Sequence, residues 1–188
     1  MMRSAEANER ALATLSEPLP DALFGSPLEC IFADNFRHRV LCNLLDSVSG
    51  GKTLDRETVG VVLAFLKSDF SIHLADEEGS LFPMLRNRAV ATDGFPAILD
   101  QIRMDRQLLD QLIQGLERLA AIPSKAVPTP KLRLLLQTFT AIERKHVTVE
   151  NVVVLPLARL RLTASDLASL GEAMIARRGF GRSERVPH

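Results

Sequence analysis

The chain has 188 residues, enough for one domain with a sizeable buried core. Lys plus Arg and Asp plus Glu are both 23, and this balance argues against a general nucleic-acid or membrane-surface protein. No uninterrupted apolar run reaches the roughly 18 residues needed to span a bilayer, and the charged, amphipathic N-terminus has no signal-peptide apolar stretch. Two cysteines, Cys30 and Cys42, make no disulfide framework. They read as small buried hydrophobes in a reducing, cytoplasmic setting. Trp and Tyr are absent, so tyrosyl-radical chemistry and tyrosine hydrogen bonds to a bound oxygen species are excluded.

Helix-forming residues dominate, and prolines punctuate them. A short amphipathic helix is predicted from Ser4 to about Leu15, then a proline-rich loop over Glu17 to Ser26. The first long helix runs from Pro27 to Val48, with Ile31, Leu41, Leu44, Leu45 and Val48 on its apolar side, and stops at Gly50-Gly51. The second runs from Leu54 to Leu85, and Pro83 is expected to kink or end its last turns. The third runs from Phe95 to Ala121 and the fourth from Lys131 to Leu160. Thr163 and Asp166 resemble a capping box that opens a final helix to about Arg177, and the tail from Arg177 to His188 reads as frayed. The expected fold is all-α: an up-down-up-down four-helix bundle with short extra N- and C-terminal helices. Its parts are residues 1–26 (helix and linker), 27–160 (bundle) and 161–188 (C-terminal helix and tail).

One pattern, His-x3-Glu-x5-Pro, occurs twice with every spacing conserved between the copies: His73, Glu77 and Pro83, then His146, Glu150 and Pro156. Residues four apart on a helix share a face. Each copy therefore presents one imidazole and one carboxylate to the same side, a donor set suited to iron, manganese or zinc. Two such helices facing one another would form a four-ligand metal site. In the predicted topology both pairs lie near the C-terminal ends of parallel helices. The same level on the other two helices falls at Asn35 and His38 on the first and Asp105 on the third. His38 and Asp105 are candidate ligands; Asn35, a poor iron ligand, suits a hydrogen bond to a ligand better.

The strings His73-Leu-Ala-Asp-Glu77-Glu78 with Leu81-Phe82-Pro83, and His146 with Glu150-Asn151 and Leu155-Pro156, resemble the hallmark segments of the hemerythrin-like (HHE cation-binding) family. The resemblance spans about Pro27 to Leu160. It implies a non-haem centre of two irons bridged by carboxylates, in a protein that binds or senses oxygen, iron or redox state, with dioxygen, another diatomic or peroxide as small ligand. The chain departs from the pattern where single histidines are expected: Asp34-Asn35 stands at that place in the first long helix and Met104-Asp105 in the third. A more carboxylate-rich set favours ferric iron and disfavours reversible oxygen carriage.

Three functions follow as expectations. The leading one is a cytoplasmic hemerythrin-like metal protein with an oxygen-, iron- or redox-sensing or handling role, not primarily an enzyme, with metal ligands His73, Glu77, His146 and Glu150 assisted by His38 and Asp105. The second is a di-iron oxidase or ferroxidase. The third is a degenerate, metal-free bundle acting as a protein-interaction module. No nucleic-acid or membrane partner is expected.

Overall fold

The computed structural model describes residues 2–50, 56–102, 106–121 and 127–179; for residues 2–5 and 106 it describes the backbone alone. Among the described residues every regular element is helical. Helix α1 (Met2–Ser16) leads through a 3-10 turn at Asp21–Gly25 into α2 (Pro27–Gly50). A second rod is assembled from α3 (Arg56–Lys67), α4 (Asp69–Asp76), a π-turn at Glu77–Leu81 and α5 (Phe82–Arg88). A third comprises α6 (Phe95–Ile102) and α7 (Arg106–Ala120). The fourth is α8 (Pro130–Val149), a π-turn at Glu150–Val154 and α9 (Leu155–Arg161), followed by α10 (Ala164–Arg177). The four expected long helices and the terminal ones are all present. Asp105, and His188 in the tail, lie outside the described residues.

Local chemistry sets the boundaries. Pro130 occupies the first turn of α8, where a missing N–H costs nothing, and the Thr129 hydroxyl accepts from Leu132 N at 3.2 Å. Thr163 and Asp166 form the expected reciprocal cap on α10. Pro83, expected to kink or end its helix, and its counterpart Pro156 both sit in the first turn of a continuing helical segment. Neither ends its helix, because a π-turn immediately precedes each: Phe82 N–H bonds Glu77 O, and Leu155 N–H bonds Glu150 O, both five residues back. A proline in an α-helix crowds the carbonyl four residues before it and cannot donate. The wider turn absorbs that mismatch, and the rod runs on to Arg88 or Arg161.

The interior is layered along the bundle axis. One apolar core gathers Leu41, Leu45, Phe65, Phe70, Leu112, Leu116, Leu136 and Phe139. A second, at the opposite end, gathers Ile31, Leu81, Leu85, Phe95, Ile102, Val154, Leu155 and Met174. Moving along the chain, α2 passes from the second core to the first, the next rod returns, α6–α7 goes back again and the last rod returns. This alternation is the up-down-up-down order read directly from packing. Between the two cores lies a buried polar stratum: Asp34, Asn35 and His38 from α2, His73, Asp76 and Glu77 from the second rod, and Glu143, His146 and Glu150 from the fourth.

The rod Arg56–Arg88 is, by length and composition, apolar enough to cross a membrane, with mean hydropathy 1.4 over its most apolar stretch. That stretch is 44 % buried in the bundle, and the rod carries His73, Asp76 and Glu77 into the interior. A core helix shows the same properties.

Helix α10 is tied to this stratum by charge. Arg177 and Arg178 were expected in a frayed tail; instead they close α10 against the second rod. Both donate to the fully buried Asp76 at 2.7 Å, and Arg177 also reaches Ser80 Oγ at 2.6 Å. Arg178 lies 3.4 Å from Asp34, which also pairs with Arg37 at 3.1 Å, and Arg37 pairs with Asp69 at 2.7 Å. Three guanidiniums thus neutralise three carboxylates. Arg37 further donates to Leu15 O and Glu17 O at the end of α1, where a cation complements the helix dipole. Gly79 belongs to this arrangement, since a Cβ there would stand 3.0 Å from Arg177 Nη2. Removing one partner of a buried ion pair strands the other. Asp76→Ala should therefore lower the unfolding free energy by about 3 kcal/mol; a loss below about 1 kcal/mol in chemical denaturation would mean that water screens the pair.

Candidate metal centre

His73, Glu77, His146 and Glu150 converge as their spacing predicts. One donor atom from each lies within 4.8 Å of all the others, and the four residues are 0–2 % exposed. His73 Nε2 is 3.1 Å from Glu77 Oε1 and 3.9 Å from Glu150 Oε2. His146 Nε2 is 3.2 Å from Glu77 Oε1 and 3.8 Å from Glu150 Oε2. Each imidazole therefore faces both carboxylates, its own and the one across the bundle. The π-turns matter here, because each begins at the motif glutamate and leaves the His-x3-Glu turn before it in α-helical register.

The surroundings orient these groups. His146 Nδ1 lies 2.6 Å from Ile102 O. A carbonyl only accepts, so Nδ1 carries the proton and Nε2 turns to the centre. This is the usual way a ligating histidine is held. Asn35 donates its amide to Glu150 Oε2 at 2.7 Å and to Asn151 Oδ1 at 2.9 Å. It steadies the Glu150 carboxylate, a candidate ligand, and does not itself offer nitrogen. Asp34 Oδ2 stands 3.8 Å behind His73 Nδ1, too far for a hydrogen bond. His38 is buried one turn along α2 from Asn35, and its Nδ1 is 2.7 Å from Glu143 Oε1. Its ring stacks on Phe70 at 4.5 Å and meets the His73 ring edge-on at 4.4 Å.

Glu143 was not anticipated. A signal for it exists: Phe139, Glu143, His146 and Glu150 follow one stripe of the helix, so a carboxylate three residues before the motif histidine shares its face. The equivalent position in the first copy is Phe70.

Burial and mutual charge set the protonation. Burial disfavours the His146 imidazolium, but the Glu77 carboxylate outweighs it and lifts the pKa to about 10. Burial likewise opposes the His73 imidazolium, and Glu77 first, then Asp34 and Glu150, hold its pKa well above normal. Glu77 is buried too, yet His146 and His73 keep it well below the carboxylate range. Glu150 is pushed up by burial and by the charge of Glu77. Burial and the charge of His73 lower His38, while the bond from His38 offsets burial and lowers Glu143. Cys30 and Cys42 are buried thiols, and desolvation raises both to about 12. Neither supplies thiolate at neutral pH.

A family profile described as the hemerythrin HHE cation-binding domain matches residues 27–158. Together with a helical bundle that buries two facing His/Glu pairs, this defines a bundle protein of the cation-binding class. The chain belongs to the hemerythrin HHE family. Comparison with curated proteins and with solved structures gave no significant match.

In the cation-free protein, His73, His146 and Glu150 hold their protons more tightly folded than unfolded. The unfolded chain then binds fewer protons, so stability falls as pH rises. The contribution is complete below about pH 6.5 for the histidines and is lost as pH climbs towards the His146 value of about 10. Thermal melts of cation-free protein should drop between pH 7 and 10. Saturating divalent metal should flatten that drop, because it displaces the same protons. A metal-free profile with no fall over this window would contradict the assigned protonation.

Proposed function

We propose that this protein binds iron at the His73, Glu77, His146 and Glu150 cluster, as a carboxylate-bridged pair, and acts in sensing or handling oxygen, iron or redox state. One observation carries this reading. Seven buried side-chain nitrogen and oxygen atoms among the described residues have no hydrogen-bond partner: Asn35 Oδ1, His38 Nε2, both ring nitrogens of His73, Glu77 Oε2, Glu143 Oε2 and Glu150 Oε1. All belong to this stratum. A buried polar atom without a partner costs about 1–3 kcal/mol, so such a concentration in an otherwise well-packed interior calls for a cation.

The donor set favours iron among the candidates, with manganese or zinc as competitors, because imidazole nitrogen is combined with hard carboxylate oxygen and no thiolate takes part. The residues fit the group: both Nε2 atoms converge, Asn35 and Ile102 hold Glu150 and His146 in place, and the apolar cores at either end exclude bulk water. Bound iron would supply one-electron chemistry towards dioxygen, another diatomic or peroxide. The carboxylate-rich set supports the ferric state over reversible oxygen carriage. The neutral net charge and the buried site favour a small-molecule ligand over a nucleic acid or a membrane, and a cytoplasmic setting suits the two free thiols.

Protein reconstituted with ferrous iron without oxygen should hold close to two irons per chain, and oxidation should bring up a visible ligand-to-metal band. His146→Ala should abolish that band and most of the iron. Unchanged iron in this variant would refute the site.

A further inference from the structure

The resemblance places a nitrogen ligand on α2 where this chain has Asn35. Its amide nitrogen has no lone pair to offer, and its two protons are committed to Glu150 and Asn151. The nearest imidazole on α2 is His38, one turn further on. It is 1 % exposed, as is Glu143. His38 is not one of the four residues whose donor atoms converge, but two observations set its ring beside them with one nitrogen to spare. Its Nδ1 faces Glu143 Oε1 at 2.7 Å, whereas its Nε2 is buried with no partner. The ring also stacks on Phe70 and stands edge-on to His73, so it cannot rotate freely.

We propose that Glu143 and His38 work as a carboxylate–imidazole pair in which Glu143 accepts a hydrogen bond from Nδ1–H and turns Nε2 of His38 towards the cation held by the two motif pairs. The nitrogen ligand of α2 has thereby moved one helical turn from Asn35, and Glu143 is the positioning residue that makes the move workable. A carboxylate accepting from the far nitrogen fixes the tautomer and makes the ligating nitrogen a stronger donor. The motif repeat lacks this device in its first copy, where Phe70 takes the matching place and supplies the wall against which the ring is stacked. The arrangement is thus asymmetric: one face of His38 is held by an aromatic ring and one edge by a carboxylate.

This inference rests on the proposed metal site, and the test separates the two. Cobalt(II), added to metal-free protein, serves as probe, read by its d–d absorption and by binding affinity. Glu143→Gln should weaken cobalt binding about 10- to 100-fold and shift the d–d bands in the direction seen for His38→Ala. In a His38→Ala background the Glu143→Gln change should add nothing further, since Glu143 acts through His38. Wild-type affinity and spectrum in Glu143→Gln would overturn the proposal, as would a Glu143→Gln loss that persists undiminished without His38. Should Glu143→Gln fail to fold, Glu143→Asp, which draws the carboxylate back by one methylene, must show the same weakening and band shift. If wild type binds cobalt and His146→Ala abolishes binding while neither Glu143 variant has an effect, only this inference fails. If wild type binds neither cobalt nor iron, the metal site fails with it.

Discussion

The whole molecule is organised around three carboxylates, Glu77, Glu143 and Glu150, and three imidazoles buried in one layer between two apolar cores. Moving an ionised carboxylate out of water costs several kcal/mol even after relaxation. The layer therefore depends on how its charge is balanced: in the cation-free state His73 and His146 hold Glu77 ionised while burial and Glu77 favour the protonated form of Glu150, and in the proposed functional state a metal ion takes that part. Everything nearby serves that balance. Asn35 steadies Glu150, Ile102 O steadies His146, and a separate chain of guanidiniums pairs with Asp34, Asp69 and Asp76 beside the centre.

The two motif copies share a backbone device and differ in what covers them. Both place a π-turn between glutamate and proline, which keeps His and Glu in α-helical register while letting the helix continue through the proline. The first copy has Gly79 and Ser80 within its π-turn, and Arg177 of α10 packs there. The second copy has Val152 and Val153 in the matching places, and both remain exposed. Helix α10 lies beyond the segment matched by the family profile, yet it closes one side of the buried polar layer through Asp76. The residue next to Glu77 is thus fixed by an element outside the bundle proper.

Much of the fold and part of the site were legible in the linear chain. Helical periodicity, prolines and the Thr163–Asp166 cap defined the rods, because these signals act over one to four residues. The duplicated His-x3-Glu pattern revealed the central His/Glu cluster for the same reason: a four-residue spacing is one turn, and one turn is one face. Pro83 was legible as a disturbance that kinks or ends its helix, but not as a π-turn with the helix running on, because a local rule does not say where the displaced backbone bonds go. Arg177 and Arg178 were misread as tail because their partners, Asp76 and Asp34, lie 101 to 144 residues away in sequence.

By itself the sequence determined an all-α chain, the order of its helices and two His/Glu faces bearing a metal-ligand donor set, since each of these is a short-range consequence of residue type and helical period. Only the tertiary structure decided that the two faces meet within 4.8 Å, that Asn35 serves Glu150, that Glu143 holds His38 and that α10 seals Asp76. Those contacts join helices distant in the chain. They depend on the rotation and axial offset of each rod, which are set by how the two apolar cores pack.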